Sequence, residues 1–314
     1  MKLFSNLNTN GKLVRGVLVD LGYNLLKDDN YSSDLALAYE VFQTAILVHD
    51  DIIDEDEKRR GTNTIHFENY NKYKKYNEVE AKHLGDSIAI CMGNYGLYDS
   101  IRIITTAYKS DPNLSKVLTN FIDTAINTVR GEILDVVLPF ESKNKLVDLK
   151  SLDKSIMNIY RLKTAHYTII GPLSIGLLLA GADDNKLKDI SSFGEKVGIA
   201  FQIQDDILGI YSDEMGKVIG SDIKEYKQTI LYSHISKTKY IDELEKYYGK
   251  NITKENISKV RELFKESGSY DYSVNMMNKL YDESIKELDS INWINEYKKD
   301  ILRGFVEYLR NRNK

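Results

Sequence analysis

Only three prolines, Pro112, Pro139 and Pro172, interrupt a chain of 314 residues, where average usage of roughly 5% would give about fifteen. Proline lacks a backbone N–H and clashes with the preceding helical turn, so its scarcity favours long unbroken helices and argues against an all-β chain. An apolar content of 42% is enough for a sizeable core and excludes a mainly disordered chain. The 43 basic and 47 acidic side chains leave a net charge of −4, which is no electrostatic footprint for a nucleic-acid binder. The short basic and aromatic run Asn71 to Tyr76 is followed by Glu78 and Glu80, so it does not alter that reading. With no internal repeat and no Gly/Ser- or Pro-rich linker, the expectation is one all-α domain spanning residues 1–314.

Periodicity places helices over Val14 to Leu26, Leu35 to Val48, Leu84 to Tyr108, Val117 to Leu138, Leu152 to Ile170, Leu173 to Gly181 and Asp189 to Tyr211. Ser32 or Ser33 is the expected cap of the second of these, which is apolar nearly all round, as a helix at the centre of a bundle should be. Gly194 and Gly198 sit inside the last one at a cost in propensity. From Ser236 onward the apolar residues fall at three- and four-residue spacing in a Lys/Glu/Tyr-rich background, the pattern of amphipathic outer helices. The single cysteine, Cys91, has no internal disulfide partner and is expected to be a small buried thiol. Residues Met1 to Asp20 lack the apolar core and cleavage site of a secretory signal, so a cytoplasmic location is expected. The most apolar stretch, Thr168 to Ala182, is too short to span a bilayer and reads as core.

The segment from His49 to Gly61 carries six carboxylates between positions 50 and 57. On a helix Asp50 and Asp54 share a face about 6 Å apart along the axis, while Asp51 is turned by about 100°. These acids also fall near a helix C-terminus, where the macrodipole disfavours each by a few tenths to about 1 kcal/mol. A cation answers that repulsion, and Mg²⁺ with carboxylate, water and phosphate oxygens is one that fits; a solvated acidic helix end answers it equally well. A second pair, Asp205 and Asp206, lies behind an apolar run on a core-like helix, where buried acids need partners. Two such clusters facing the interior of one bundle resemble the walls of a metal-holding site. The basic residues Lys12, Arg15, Arg59, Arg60, Lys163, Lys217 and Lys227 lie in short motifs near glycines or acids. Phosphates would satisfy both sets, because Mg²⁺ bridges carboxylate to phosphate while Arg and Lys take the remaining oxygens.

At these residues the chain resembles the trans-isoprenyl diphosphate synthases, the polyprenyl synthetase family. The motifs run in order: Gly-Lys-x-x-Arg at Gly11 to Arg15, Asp50-Asp51-x-x-Asp54 with Arg59-Arg60-Gly61, and Gly85-Asp86. They continue with Lys163-Thr164-Ala165, Phe201-Gln202-x-x-Asp205-Asp206, Gly216-Lys217, and Gly220 to Lys227. Three departures stand out. Gly209 occupies the place of a third Asp in the second acidic motif, Asn63 replaces a Pro, and Glu132 stands where Gly-Gln-x-x-Asp is common, at Gly131 to Asp135.

The resemblance implies an isoprenoid-synthase bundle of long antiparallel helices around a central catalytic cavity, and a homodimer. It implies Mg²⁺ held by Asp50, Asp54 and Asp205, with Asp51 and Asp206 in support, and an allylic diphosphate gripped by Arg59, Lys163, Lys217 and Lys227. Isopentenyl diphosphate would meet Lys12, Arg15, Gln43 and Arg60, and the oxygens of Thr164 and Gln202 would lie near the cationic carbons. Closure by Arg312 and Lys314 is a further expectation from the family. Ala45 lies about 7.5 Å and Phe42 about 12 Å along the helix axis before Asp50. In farnesyl-type members an aromatic is common at the position of Ala45, so a small residue there points to a deeper pocket floored by Phe42. The expected product is therefore geranylgeranyl diphosphate (C20), with the C15 and C25 products open. A class I terpene cyclase would not need the cationic set of a second substrate, and a non-catalytic regulatory subunit would not need intact acids. Glu80-x-x-His83 is one Glu-x-x-His where a di-iron bundle uses two, and His49 and His66, without zinc-ligand spacing, read as structural or as supports behind the site.

Overall fold

The computed structural model describes residues 4, 12–212, 220–250 and 253–312. Among them the chain is helical, with one small hairpin. The long elements are α1 (Val14–Asn24), α2 (Ser33–Ile53), α3 (Ile65–Tyr73), α4 (Glu78–Ala107), α5 (Leu114–Lys143) and α6 (Leu149–Ile159). After α6 the π-helical stretch Tyr160–Ile170 leads into α7 (Gly171–Leu179) and α8 (Asp184–Tyr211). The short α9 (Ser221–Lys224), α10 (Ile230–Ile235) and α11 (Ile241–Leu244) precede α12 (Lys254–Glu266), α13 (Ser269–Ser290) and α14 (Glu296–Arg310). None of these helices is long and apolar enough to cross a membrane.

The chain divides into two compact units, residues 1–121 with 172–183, and residues 122–171 with 184–314. In the first, α2 is buried nearly all round, from Leu35 through Val48 to Asp51, and α1 and α4 pack on it. The expected cap is only half realised. Ser32 occupies the N-cap position, but its hydroxyl donates to Asp20 instead of to the helix. After α2 the strands β1 (Lys58–Arg59) and β2 (Thr62–Asn63) pair antiparallel, with Arg59 opposite Thr62. Arg60 and Gly61 between them both have positive φ, 52° and 75°, as a two-residue hairpin turn of matching twist requires. In the second unit α8 is the central helix, packed on α13 and on the π-helical stretch.

Two expectations are corrected. Cys91 is exposed on α4, not buried, because the small residues of α4 that face inward (Ala81, Gly85, Ala89, Gly93, Gly96) leave position 91 on the opposite side. The helix expected over Leu152 to Ile170 is α-helical only to Ile159 and π-helical beyond, an arrangement often found at functional sites.

Candidate active site

In the first unit α2 ends where its acids begin to crowd. The amide of Asp54 donates to the Asp50 carbonyl at 2.9 Å, and the hairpin returns Arg59 onto the helix end. Its guanidinium bonds Asp50 at 2.8 Å, reaches Asp56 at 3.5 Å and pairs with Asp51. Asp51 is 1% exposed, and burial pushes its carboxyl up to about 6 although Arg59 pulls the other way. Its Oδ2 is buried and accepts no hydrogen bond among the described residues. Asp51, Arg59, Arg60, Thr44 and Leu47 line one small cavity. The His49 imidazole fills the space over Gly93 of α4, with Nε2 3.2 Å from the Ile90 carbonyl.

Nearly three turns upstream of Asp50, Glu40 organises the second cationic group. Its Oε1 accepts from the Gly16 amide at 2.7 Å. Gln43, with its amide oriented to satisfy both neighbours, donates to Glu40 and accepts from Arg15, each at 2.8 Å. Lys12 is exposed, as is Arg60. Phe42 and Ala45 are both fully buried but face different groups. Phe42 meets Phe121 and Tyr39 with ring centroids 4.9 and 5.6 Å apart, while Ala45 joins Val41, Val48, Ile65 and Ala89.

In the second unit the acids of α8 take different partners. Asp205 pairs with Arg312, whose guanidinium lies 4.3 Å over the Phe201 ring. The end of the chain is held there because Gln204 donates to the carbonyls of Arg310 and Arg312 at 3.1 Å each. Asp206 is buried and accepts from Tyr160 and, at 2.8 Å, from Gln202. Burial, reinforced by the charge of Asp222, pushes its carboxyl well above the usual range. The Tyr160 oxygen in turn accepts from the Ile230 amide at 3.1 Å, and Thr164 donates to Gln202 at 2.5 Å. At Gly209 the carboxylate of Asp222 lies 3.3 Å from where a side chain would begin.

Lys163 and Lys227 both donate to the same oxygen of Asp135, each at 2.8 Å. Burial alone would raise the Asp135 carboxyl, yet the two ammonium groups hold it below its ordinary value. Each unit therefore gathers its own predicted residues: Arg15 with Gln43 and Asp50, Asp51 with Arg59 in the first, Lys163 with Lys227 and Thr164, Gln202 with Asp206 in the second. Lys217 and Lys314 lie outside the described residues. Sequence reasoning did not single out Glu40, Tyr160 or Asp222, and quoted Asp135 only as a motif position. Glu40 gave one signal, a charged group inside an otherwise apolar helical run.

A sequence model of the polyprenyl synthetase family matches residues 2–267. A geranylgeranyl diphosphate synthase of Sulfolobus acidocaldarius is 31% identical, over 97% of this chain and 88% of its own length. A short chain isoprenyl diphosphate synthase of Methanocaldococcus jannaschii is 28% identical, over 83% of this chain and 74% of its own. Among solved structures, a geranylgeranyl pyrophosphate synthase of Corynebacterium glutamicum, complexed with isoprenyl diphosphate and magnesium, superposes with a TM-score of 0.86 at 24% identity. It covers 96% of this chain and 87% of its own.

Proposed function

We propose that this chain, which belongs to the polyprenyl synthetase family of trans-prenyltransferases, condenses isopentenyl diphosphate with an allylic diphosphate to make geranylgeranyl diphosphate. The observation that carries the reading is the buried Asp51 carboxylate at an acidic helix end, with one oxygen unsatisfied and an arginine as counter-cation. A hard divalent cation suits that donor set, since Mg²⁺ takes oxygen ligands and keeps positions for phosphate. Asp50, Asp51 and Asp54 would hold it, and Asp205 is proposed as a further Mg²⁺ ligand on α8. When bound, Mg²⁺ supplies charge stabilisation to the departing diphosphate.

The side chains then have distinct tasks. Arg59, Lys163, Lys217 and Lys227 bind diphosphate oxygens, whose negative charge grows as the allylic C–O bond breaks, so they favour the transition state over the ground state. Lys12, Arg15, Gln43 and Arg60 bind and orient isopentenyl diphosphate. Asp206, with both oxygens engaged by Tyr160 and Gln202, positions the Gln202 amide instead of contributing its charge directly. Thr164 and Gln202 turn oxygens toward the carbons that become cationic, and apolar walls keep water from quenching them. The C20 product is supported by the archaeal relative and by the small Ala45 upstream of Asp50. A homodimer is supported by apolar residues left exposed along α5. The free, exposed thiol of Cys91 suits a reducing compartment, and we place the enzyme in the cytoplasm.

The test is incubation of the purified chain with dimethylallyl or geranyl diphosphate, labelled isopentenyl diphosphate and Mg²⁺. Labelled C20 diphosphate is expected, with turnover lost on chelation and lowered at least roughly a hundredfold by Asp50→Asn or Asp205→Asn while the fold persists. A cyclised, unlabelled product, or a chain inactive without a second subunit, would replace this assignment.

A further inference from the structure

One departure from the family pattern finds a physical role. Gly131 is where α5 meets the π-helical stretch: a side chain there would overlap the Lys163 backbone. This close approach brings Lys163 Nζ onto the next turn of α5, 2.7 Å from Glu132 Oε2 and 2.8 Å from Asp135 Oδ2. Glu132 and Asp135, three residues apart, share one helix face. Lys227 reaches Asp135 at 2.8 Å and Glu225 at 3.6 Å. All five side chains are largely buried, with 13 to 23% exposure, so their charges are weakly screened.

The two carboxylates of α5 do different things. Asp135 bridges both ammonium groups and sets their separation. Glu132 pairs with Lys163, and brings a further negative charge next to a group that must attract an anion. An amide at position 132 could accept the same hydrogen bond without that charge.

We infer that Glu132 sets the affinity for diphosphate: by offsetting the Lys163 charge it weakens the hold on the allylic diphosphate and on the pyrophosphate product. The inference rests on Lys163 being a diphosphate ligand, as proposed above. Weaker retention of pyrophosphate favours product release, so the residue trades binding strength for turnover when release is slow.

Glu132→Gln and Glu132→Ala test it. Calorimetric titration with inorganic pyrophosphate, with and without Mg²⁺, should show Kd lowered roughly three- to tenfold in both variants, the size expected for removing one partly screened charge a few ångströms away. The KM for geranyl diphosphate should fall in parallel, with the KM for isopentenyl diphosphate and the melting temperature unchanged. A Kd in Glu132→Gln equal to or weaker than that of the parent overturns the inference and makes Glu132 a structural anchor. A parent chain that binds no pyrophosphate overturns the function itself, which keeps the two failures apart.

Discussion

Single side chains carry most of the chemistry, and their partners decide how. The acids at positions 50, 51, 205 and 206 look equivalent in sequence, but Asp51 and Asp206 are buried whereas Asp50 and Asp205 are partly exposed. Burial raises the cost of an unpaired charge, which is why Asp206 is enclosed by Tyr160 and Gln202 and why Asp51 is met by Arg59. Phe42 offers a sharp test at this scale. It is fully buried against Tyr39 and Phe121, so Phe42→Ala should cost about 3–5 kcal/mol of stability, measured by denaturant unfolding. If Phe42 floors the product pocket, the same variant should shift the product beyond C20 on chromatography. Destabilisation with an unchanged product would assign Phe42 to core packing alone. The acids, the arginine pair and the lysines stood out from sequence as candidates because motif spacing along a helix is local information. Which oxygen meets which cation was not, because pairs such as Lys227 with Asp135 join residues 92 positions apart.

Elements show how few backbone exceptions the fold needs. Pro112 precedes α5, and Pro172 is the second residue of α7. The helix expected over Val117 to Leu138 runs on through Pro139 to Lys143. Despite the lost donor and the clash with the preceding turn that an interior proline brings, α5 continues for one further turn beyond it. The π-helical stretch was not legible from sequence; it packs on α8 so closely that a side chain added at Gly198 would overlap the backbone of Ala165. Gly198→Val should therefore destabilise by about 1–3 kcal/mol through overpacking. Turnover should also fall, because Lys163 and Thr164 flank the displaced residue. Thermal unfolding and initial rates on the same preparation check both, and a variant as stable and active as the parent would show that α8 accommodates the branch without moving the stretch.

For the molecule as a whole, the feature that remains unaccounted for is apolar surface. Ile122, Ile126, Val129, Ile133 and Phe140 recur at three-, four- and seven-residue spacing on α5, and Ile133 is 56% and Phe140 68% exposed. Single exposed apolar residues are ordinary, but a stripe in register along one helix is the pattern of a helix seam. If a second copy covers it, Ile133→Asp should convert dimer to monomer in sedimentation velocity, while far-UV circular dichroism stays unchanged. A dimer that persists would place the interface elsewhere. By itself, the sequence determined the all-helical class, the existence of most long helices between Val14 and Tyr211 with ends displaced by up to six residues, the amphipathic character but not the bounds of those after Ser236, and the order of the motifs, because helical periodicity, proline scarcity and motif spacing act over one or two turns of chain. Only the tertiary structure decided that Cys91 faces outward, that Glu40 holds Gln43, that Arg312 covers Asp205 and that Glu132 joins Asp135 on Lys163. Those outcomes depend on distances through space between residues far apart in the chain, and charge and burial act along that distance.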